Sequence, residues 1–358
     1  MLVPAWCMGF LDRRTEDSPA GVIFDMPERL VVVGDLNGDD DALAMLLRVT
    51  GLTDETDRWV GGSRHLVQLG DVVNRGSGCR AALDRLMALQ RQARETGGQV
   101  TMLLGNHESM VTLGNLAWCT TEEFIEFATP GECTAFEHRR TARLYELLAL
   151  SRRGRVTLPV AGALKAWEEQ HAPGRLQYLE AMGPRGTYGR FLRSLPLAIR
   201  VGPVLLTHGG LSEAFASAGL LGLHEELRGI WSTVPESEED VELTSVLLAE
   251  DGPLWNRDVV QGKDAAARES LERVLRTVGA SLMVVGHTRT DHIPGGRLGH
   301  PALLHDDRLI AVDTGIGSSG AATAALVIEG EEISVWRPDA SFRRLSRIAP
   351  LPRVEGRS

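Results

Sequence analysis

The sequence predicts an α/β fold, because short apolar segments of the kind found in buried strands alternate with amphipathic segments of helical period. Five runs rich in Val and Leu each stop abruptly at a polar turn, and four of these turns contain glycine. The runs cover residues 30–33, 66–69, 100–104, 204–206 and 282–285. In such folds ligands bind at the carboxyl ends of the strands, so the polar residues of these turns are the candidate functional residues.

Helices are predicted after the first two of these strands. Residues 42–48 carry leucines at helical spacing, and Gly51 is positioned to end the helix. Residues 80–95 form a second amphipathic segment, which Gly97 and Gly98 end. The order strand, helix, strand, helix, strand predicts crossover connections over a partly parallel sheet.

A helical insertion is predicted at residues 109–195, because the strand pattern disappears there and long amphipathic stretches replace it. Closing strands are predicted at 311–312, 325–328 and 333–336. The predicted organisation is an N-terminal extension at 1–27, a main domain over 28–340 that contains the insertion, and a loosely attached C-terminal tail at 341–358.

The composition predicts a soluble cytoplasmic enzyme. The formal net charge of −10 and the lack of long Lys or Arg blocks argue against nucleic-acid duplexes and anionic membranes as partners, since both reward basic surfaces. The four cysteines form no C-x-x-C pair, so a disulfide framework is not expected. No apolar run approaches the ~18–20 residues of a membrane span, and no signal-peptide pattern is present. The oligomeric state stays open.

The polar residues at the strand ends combine carboxylate, amide and imidazole groups, a set that suits transition metals. They are Asp35, Asn37, Asp71, Asn106, His208 and His287. Each residue alone is more often a turn residue, but coincidence is a poor explanation for five strand ends of the same kind. The pattern predicts a hydrolase that cleaves phosphate esters with two metal ions.

The motifs around these residues resemble those of the PPP-type metallophosphatases of the calcineurin-like superfamily. The motifs are GDLNG at 34–38, GDVVNRG at 70–76, GNHE at 105–108, HGG at 208–210 and GHT at 286–288. Segments 108–114, 189–193 and 252–257 look like the Shewanella-like protein phosphatase branch. The resemblance spans roughly residues 28–336, and it implies two packed mixed β-sheets flanked by helices, with metals at the strand ends.

The resemblance also implies roles for individual residues. Asp71 would bridge two metal ions, Asp35 and Asn37 would complete the first site, and Asn106, His208 and His287 would hold the second. A hydroxide that bridges the metals would attack phosphorus in line, and His107 would protonate the leaving oxygen.

Phosphate binding is implied for Arg75 and Arg257, whose forked donors suit phosphoryl oxygens, and for Asn106. Arg193 or Arg190 is a further candidate for the same clamp. An arginine at the end of an insertion is, however, more often part of a surface ion pair.

Two positions depart from the family pattern. Asn37 stands where the family has His, so we expect a harder and weaker first site that takes manganese or magnesium in preference to iron or zinc. Asn74 stands where the family commonly has an Asp that holds the general acid. An amide orients His107 without adding charge, which predicts a lowered pKa for His107 and a rate profile at lower pH than that of an Asn74→Asp variant.

Several other sequence features are not assigned a catalytic role. The C-x5-R spacings of Cys79 with Arg85 and of Cys133 with Arg139 are attributed to chance, because the thiolate of a cysteine phosphatase needs a turn of backbone amides around it. His292, His300 and His305 follow the last motif and could replace the missing ligand, but polar loop histidines are usually solvated. Residues 313–315 are predicted to form a turn at the rim of the site, and Trp255 is expected beside it.

The leading function is hydrolysis of phosphate from Ser, Thr or Tyr side chains of proteins. The alternatives are hydrolysis of a small phosphorylated metabolite or nucleotide, including dinucleoside polyphosphates, and a binding module that has lost turnover through Asn37 and Asn74. Substrate choice depends on the insertion and on surface grooves, which the motifs do not describe.

Overall fold

The computed structural model describes residues 21–350 except 154, 156–158, 236, 244 and 318–322. Within these residues the chain forms two six-stranded mixed β-sheets that pack face to face and carry helices on their outer surfaces. The predicted fold class is therefore confirmed. Within the same residues, no helix combines the length and apolar character needed to cross a bilayer.

The strands, in chain order, are β1 Ile23–Phe24, β2 Leu30–Val33, β3 His65–Gln68, β4 Gln99–Met102, β5 Ala198–Val201, β6 Val204–Thr207, β7 Leu282–Val285, β8 Ala302–Leu304, β9 Leu309–Ala311, β10 Ala325–Glu329, β11 Glu332–Trp336 and β12 Phe342–Arg347. The α-helices are α1 Asp40–Val49, α2 Cys79–Glu95, α3 Asn106–Thr112, α4 Thr121–Ile125, α5 Pro130–Arg152, α6 Val160–His171, α7 Arg175–Met182, α8 Thr187–Arg193, α9 Glu213–Ser217, α10 Gly219–Ser232, α11 Asp258–Gln261 and α12 Ala265–Val278.

Each sheet has parallel strands at its centre. In one sheet, with the order β12-β11-β10-β2-β3-β4, β2, β3 and β4 run parallel and β10 pairs with β2 in the antiparallel sense. In the other, with the order β1-β5-β6-β7-β9-β8, β6, β7 and β9 run parallel. The parallel strands all direct their carboxyl ends toward one edge of their sheet, where the predicted ligands follow.

The continuous apolar runs arise because the central strands are buried on both faces. Successive side chains of a strand point to opposite faces. Leu30 and Val32 therefore pack between the two sheets, whereas Val31 and Val33 pack against the helices outside. A strand covered on both sides needs apolar residues at every position, which is the pattern that the sequence shows.

The helices around the first sheet follow the prediction closely. Helix α1 begins after Asp39, whose side chain accepts a hydrogen bond from the Ala42 amide, and it ends before Gly51, which has a φ of +70°. The segment between β4 and β5 contains helices α3 to α8 and no strand among its described residues. The helical character of the insertion is thus confirmed.

The two ends of the described chain are part of the sheets, which differs from the predicted boundaries. Strand β12 pairs with β11 in the antiparallel sense, so the predicted tail at 341–358 begins with an edge strand. Three of its six residues are Arg and four of its side chains are exposed, as is typical of edge strands, so the sequence carries no apolar strand signal there. Strand β1, inside the predicted extension at 1–27, pairs with β5. Residues 1–20, which include Cys7, and residues 351–358 lie outside the described part.

Candidate metal centre

The predicted ligands meet at one end of the sandwich because each follows a strand whose carboxyl end points there. Asn106 Oδ1 lies 2.9 Å from His208 Nε2 and 3.0 Å from His287 Nδ1, and His208 Nε2 lies 3.3 Å from Asp71 Oδ1. Asp35 joins the same group, since its carboxylate accepts from the His287 amide at 3.0 Å. Residues separated by up to 252 positions in the sequence are thereby in contact.

The backbone at this site is held in an unfavourable conformation. Asn37, Asp71, Asn74, Arg75 and His287 all have φ between 49° and 69°, the left-handed region that non-glycine residues rarely adopt. Such conformations persist only where the surrounding structure enforces them, and they cluster at functional sites.

The side chains fit a metal ion. Asp71, His208 and His287 each offer one ligand atom, and these atoms lie within 4.8 Å of one another. Asn37 Oδ1 and His287 Nε2 are buried and have no hydrogen-bond partner. A buried polar atom without a partner costs about 1–3 kcal/mol, and a cation would supply the missing partner.

The proton positions of His208 agree with a ligand role. His208 Nδ1 lies 2.9 Å from the Leu69 carbonyl oxygen and therefore carries the proton, which leaves Nε2 unprotonated for a metal. This atom faces the oxygens of Asn106 and Asp71. Three electron-donating atoms thus converge with no proton between them, an arrangement that a cation would stabilise.

The electrostatics of the cluster favour the protonation states that a metal needs. Burial opposes ionisation of Asp71, but the neighbouring His107, His208 and His287 lower its pKa to about 2. Burial, with His208 and Arg257 nearby, lowers the pKa of His287 to about 2. A carboxylate beside neutral imidazoles is the state in which these groups bind metals.

Asp35 is destabilised as an anion by its surroundings. Burial, Asp313 and Asp71 together raise its pKa well above the usual value. Asp313 is itself buried, with its pKa raised to about 6 by burial, and it accepts a hydrogen bond from the Gly315 amide at 3.1 Å in the predicted turn. A divalent cation would offset this concentration of negative charge.

Glu108 fixes the backbone of the turns that carry the ligands, a role that the sequence did not reveal. This fully buried carboxylate accepts hydrogen bonds from four backbone amides, those of Gly105 at 3.0 Å, Asp71 at 2.8 Å, Val72 at 2.8 Å and Val73 at 3.1 Å. Burial, together with the Asp71 charge, raises the pKa of Glu108 to about 7. The one local signal was a Glu at the third position of α3, where a capping residue is ordinary.

His107 lies at the edge of the cluster with its two ring nitrogens in different surroundings. Nδ1 lies 2.8 Å from Asn74 Oδ1, and Nε2 lies 3.0 Å from Arg75 Nη2 and 3.6 Å from Asp71 Oδ2. A guanidinium can only donate, so Nε2 accepts and Nδ1 carries the proton. Burial lowers the pKa of His107, with Asp71 acting in the opposite direction; the effect predicted for the Asn74 amide stays a prediction.

Asn74 is in turn held by a second buried carboxylate that the sequence did not reveal. Its Nδ2 atom lies 3.3 Å from Glu123 Oε2, and Tyr178 donates to Glu123 Oε1 at 2.8 Å. Burial raises the pKa of Glu123, while these donors act in the opposite direction. The contact also means that Asn74→Asp alone would place two carboxylates side by side.

Two of the predicted arginines lie at the site. Arg75 contacts His107 and lies over the Trp118 ring at 5.2 Å, and Arg257 donates to the carbonyl oxygen of His287 at 3.2 Å. Arg75 lies in the loop that carries Asp71, whereas Arg257 lies in the segment before α11, whose Pro253 carbonyl oxygen accepts from the Gly209 amide at 2.7 Å. Both guanidinium groups therefore lie beside residues of the ligand cluster or of the general-acid candidate His107.

The structure does not bring Arg193 into this group. Its guanidinium donates to the carbonyl oxygens of Thr112, Met182 and Gly189, so it ties helix α8 to the end of α3. Arg190 donates to the Arg185 carbonyl oxygen. Both guanidinium groups thus bind carbonyl oxygens at the end of the insertion, and their phosphate-binding role stays a prediction.

The remaining candidates lie where the sequence interpretation placed them. Trp255 packs edge-on against His287, with ring centroids 6.0 Å apart. Cys79 is buried at the start of α2, where burial raises the pKa of its thiol, and Arg85 is paired with Asp40 and Asp57. His300 and His305 form hydrogen bonds with Arg337 and with the Val259 carbonyl oxygen, and neither belongs to the metal group, nor does His292.

A buried cluster of metal-binding atoms beside two guanidinium groups is the arrangement of a metallohydrolase that acts on phosphate esters. Comparison with known families agrees, since residues 28–290 match the model of the calcineurin-like phosphoesterases. The chain belongs to this family. It is a phosphoric ester hydrolase, and the family implies divalent metal ions.

Individual proteins show the same similarity. The chain is 29% identical over 341 residues to Shewanella-like protein phosphatase 2 of Arabidopsis thaliana, covering 91% of this chain and 82% of that protein. It is 24% identical over 293 residues to Shewanella-like protein phosphatase 1 of Plasmodium berghei, covering 80% and 67%. Its fold resembles the crystal structure of a cold-active protein-tyrosine phosphatase of a psychrophilic Shewanella, with a TM-score of 0.66, 24% identity and coverage of 91% and 82%.

We expect Glu108→Gln to lower the free energy of unfolding by about 1–3 kcal/mol, because an amide has one acceptor oxygen where four buried N–H donors converge. Metal affinity should fall with it, since the amides of residues 71–73 position Asp71. Urea denaturation and metal titration measure both. Glu132→Gln, at an exposed helix cap, is the control and should change stability much less. Equal effects of the two substitutions would contradict the supporting role of Glu108.

Proposed function

We propose that this protein removes phosphate from phosphorylated Ser, Thr or Tyr side chains of proteins with the help of two divalent metal ions. The observation that carries the proposal is the convergence of Asp35, Asp71, Asn106, His208 and His287. Asn37 adjoins them, since its amide donates to the Asp71 carbonyl oxygen, and Asn37 Oδ1 and His287 Nε2 are buried without partners. Metal ions bound there would acidify water, orient the ester and neutralise developing charge.

The chain's own residues supply the rest of the reaction. Arg75 and Arg257 bind the phosphoryl oxygens through their forked donors. When Arg75 turns to the phosphate, it releases His107 Nε2, which takes up a proton from water to form the imidazolium; this proton then passes to the leaving oxygen and the ring returns to its neutral form. Asn74 keeps the ring oriented through Nδ1.

A groove beside the site supports a peptide substrate. It has a volume of about 1010 Å³, and Trp255 and Arg257 belong both to its lining and to the rim of the metal cluster. Five acidic residues line it: Glu238, Glu239, Glu250, Asp251 and Asp258. None of them forms an ion pair within the described part of the chain. The groove suits an extended peptide with basic residues near its phosphate, and it repels the additional phosphates of a nucleotide. The names of the relatives also support a protein substrate.

Phosphatase activity should appear with p-nitrophenyl phosphate and added manganese, and Asp71→Asn should abolish it. Asp71 lies beside His208 and interacts electrostatically with Asp35, so an amide there removes charge from both groups of ligands. Phosphate release and metal content are the measurements. A wild-type protein that binds metal and phosphate without turnover under any divalent ion would favour the binding module instead.

The acidic groove predicts substrate preference. A phosphopeptide with basic flanking residues should have a KM about 10-fold lower than its acidic counterpart, and both should be hydrolysed better than nucleotides or dinucleoside polyphosphates. Glu239→Lys/Glu250→Lys should reverse the preference between the peptides. The matched control is Glu95→Lys/Glu331→Lys, the same charge change at exposed positions outside the groove. Faster hydrolysis of a nucleotide than of either peptide would support the small-molecule alternative.

For the metals, we propose manganese or magnesium at the site that Asn37 completes, because an amide oxygen is a harder ligand than an imidazole. Asn37→His should increase the zinc or iron that copurifies with the protein, since it adds a nitrogen ligand at a buried position whose side-chain oxygen has no partner. Elemental analysis of protein purified without added metal measures this. A stoichiometric pair of iron or zinc ions in the wild-type protein would contradict the proposal.

A further inference from the structure

Glu123 is a buried carboxylate that has no positive partner among the described residues. It lies in α4, within the helical insertion, with no exposed surface. Its oxygens accept from Asn74 Nδ2 at 3.3 and 3.4 Å, from the Asn74 amide at 3.3 Å and from the Tyr178 hydroxyl at 2.8 Å. Burying a carboxylate without a cation is unfavourable by several kcal/mol even after relaxation, so its position calls for an explanation.

The explanation lies in what Glu123 does to Asn74. An asparagine amide can present either its oxygen or its nitrogen to a neighbour. A carboxylate accepts only, so Glu123 draws Nδ2 toward itself and turns Oδ1 toward His107 Nδ1, 2.8 Å away. Cys119 Sγ, 3.1 Å from the same Nδ2, is a second and weaker acceptor on that side.

The orientation of the amide determines the state of the imidazole. With Oδ1 facing it, Nδ1 carries a proton and Nε2 points toward the reaction site, where it contacts Arg75. With the amide reversed, Nδ2 would face Nδ1 donor to donor, and the protonated imidazole would be disfavoured. Hydrogen bonds in series polarise one another, so the negative charge of Glu123 also strengthens the contact between Asn74 and His107.

We propose that Glu123 is the positioning carboxylate of the general acid and acts on His107 through the Asn74 amide. The negative charge is supplied by the helical insertion and is relayed by Asn74, because the position directly beside His107 is an amide. This inference rests on the proposed role of His107 as the proton donor. It gives the insertion a part in the chemical step.

Leaving-group dependence tests the relay, because a proton donor matters most when the leaving oxygen is basic. Glu123→Gln should lower kcat about 10-fold or more for a phosphoserine peptide, within the range that general acids contribute. The effect on p-nitrophenyl phosphate should be less than about threefold, because its leaving group departs as the anion without help. Metal content and thermal unfolding, measured on each variant, exclude loss of the site or of the fold.

Glu126→Gln is the matched control. Glu126 follows α4 and accepts from the backbone amides of Cys79 and Arg80, so it holds the start of α2 and makes no contact with Asn74. Its substitution should affect both substrates alike. An equal loss on both substrates in Glu123→Gln, or no loss, would show that Glu123 is merely structural and would overturn the relay.

A rescue variant makes the test independent of the folding of Glu123→Gln. Asn74→Asp/Glu123→Gln exchanges the two groups and places the carboxylate directly against His107, so hydrolysis of the phosphoserine peptide should return to within about threefold of wild type. Asn74→Asp alone places two carboxylates in contact and should be less active or less stable than the double variant. If the single variant equals or exceeds the double variant, the two positions are not coupled and the relay is wrong.

His107→Asn separates this inference from the function on which it rests. It should lose activity selectively on the phosphoserine peptide. If it does so while Glu123→Gln does not, only the relay fails. If His107→Asn shows no selectivity, His107 is not the proton donor, and the relay fails with it. If Asp71→Asn retains activity, the two-metal function itself is wrong.

Discussion

The loop that follows β3 holds the active site together, because its backbone is bonded on both sides at once. The Asp71 carbonyl oxygen accepts from the amides of Leu36 and Asn37, both at 2.9 Å, which joins it to the turn after β2. The Asp71 side chain accepts from the His107 amide at 3.0 Å, and Glu108 binds the amides of residues 71–73, which joins the loop to the start of α3. Three strand ends are thereby fixed relative to one another before any metal binds.

This rigid arrangement concentrates charge that the protein alone does not balance. Asp35, Asp71 and Asp313 interact with one another in a buried region, and the pKa of Asp35 is raised as a result. The strained backbone at Asn37 and His287 adds further conformational cost. Such a cluster is stable because the sandwich around it is densely packed, and it gains stability when cations bind between the carboxylates and the imidazoles.

The helical insertion supplies side chains that hold parts of the site in place. Its Arg193 fastens α8 to the end of α3, the helix that begins with Asn106 and His107. Its Tyr178 and Glu123 form the buried network behind Asn74. The groove between Met110 and the segment around Glu238 to Asp258 borders the same helix. In the proposed reaction, positioning of the general acid and choice of substrate would both depend on elements outside the strand motifs.

The sequence by itself determined the strands, the first helices and the six ligand candidates, because each of these is encoded locally. A strand buried on both faces is apolar throughout. The position of that strand in the sheet is sufficient to place the residue at its carboxyl end in the site. The departures at Asn37 and Asn74 were visible through comparison with the motifs of the family that the sequence resembles.

Only the tertiary structure decided the contacts of Glu108, Glu123 and Arg193, because their partners are backbone or side-chain groups that are distant in sequence. A glutamate in a short amphipathic helix is ordinarily exposed. No sequence pattern near Glu123 indicates that Asn74 and Tyr178 donate hydrogen bonds to it. Strand β12 was missed because an edge strand is held by its backbone hydrogen bonds to β11 rather than by apolar side chains. Local periodicity predicts what a segment buries, whereas the partner of a buried charge is set by the packing of the whole chain.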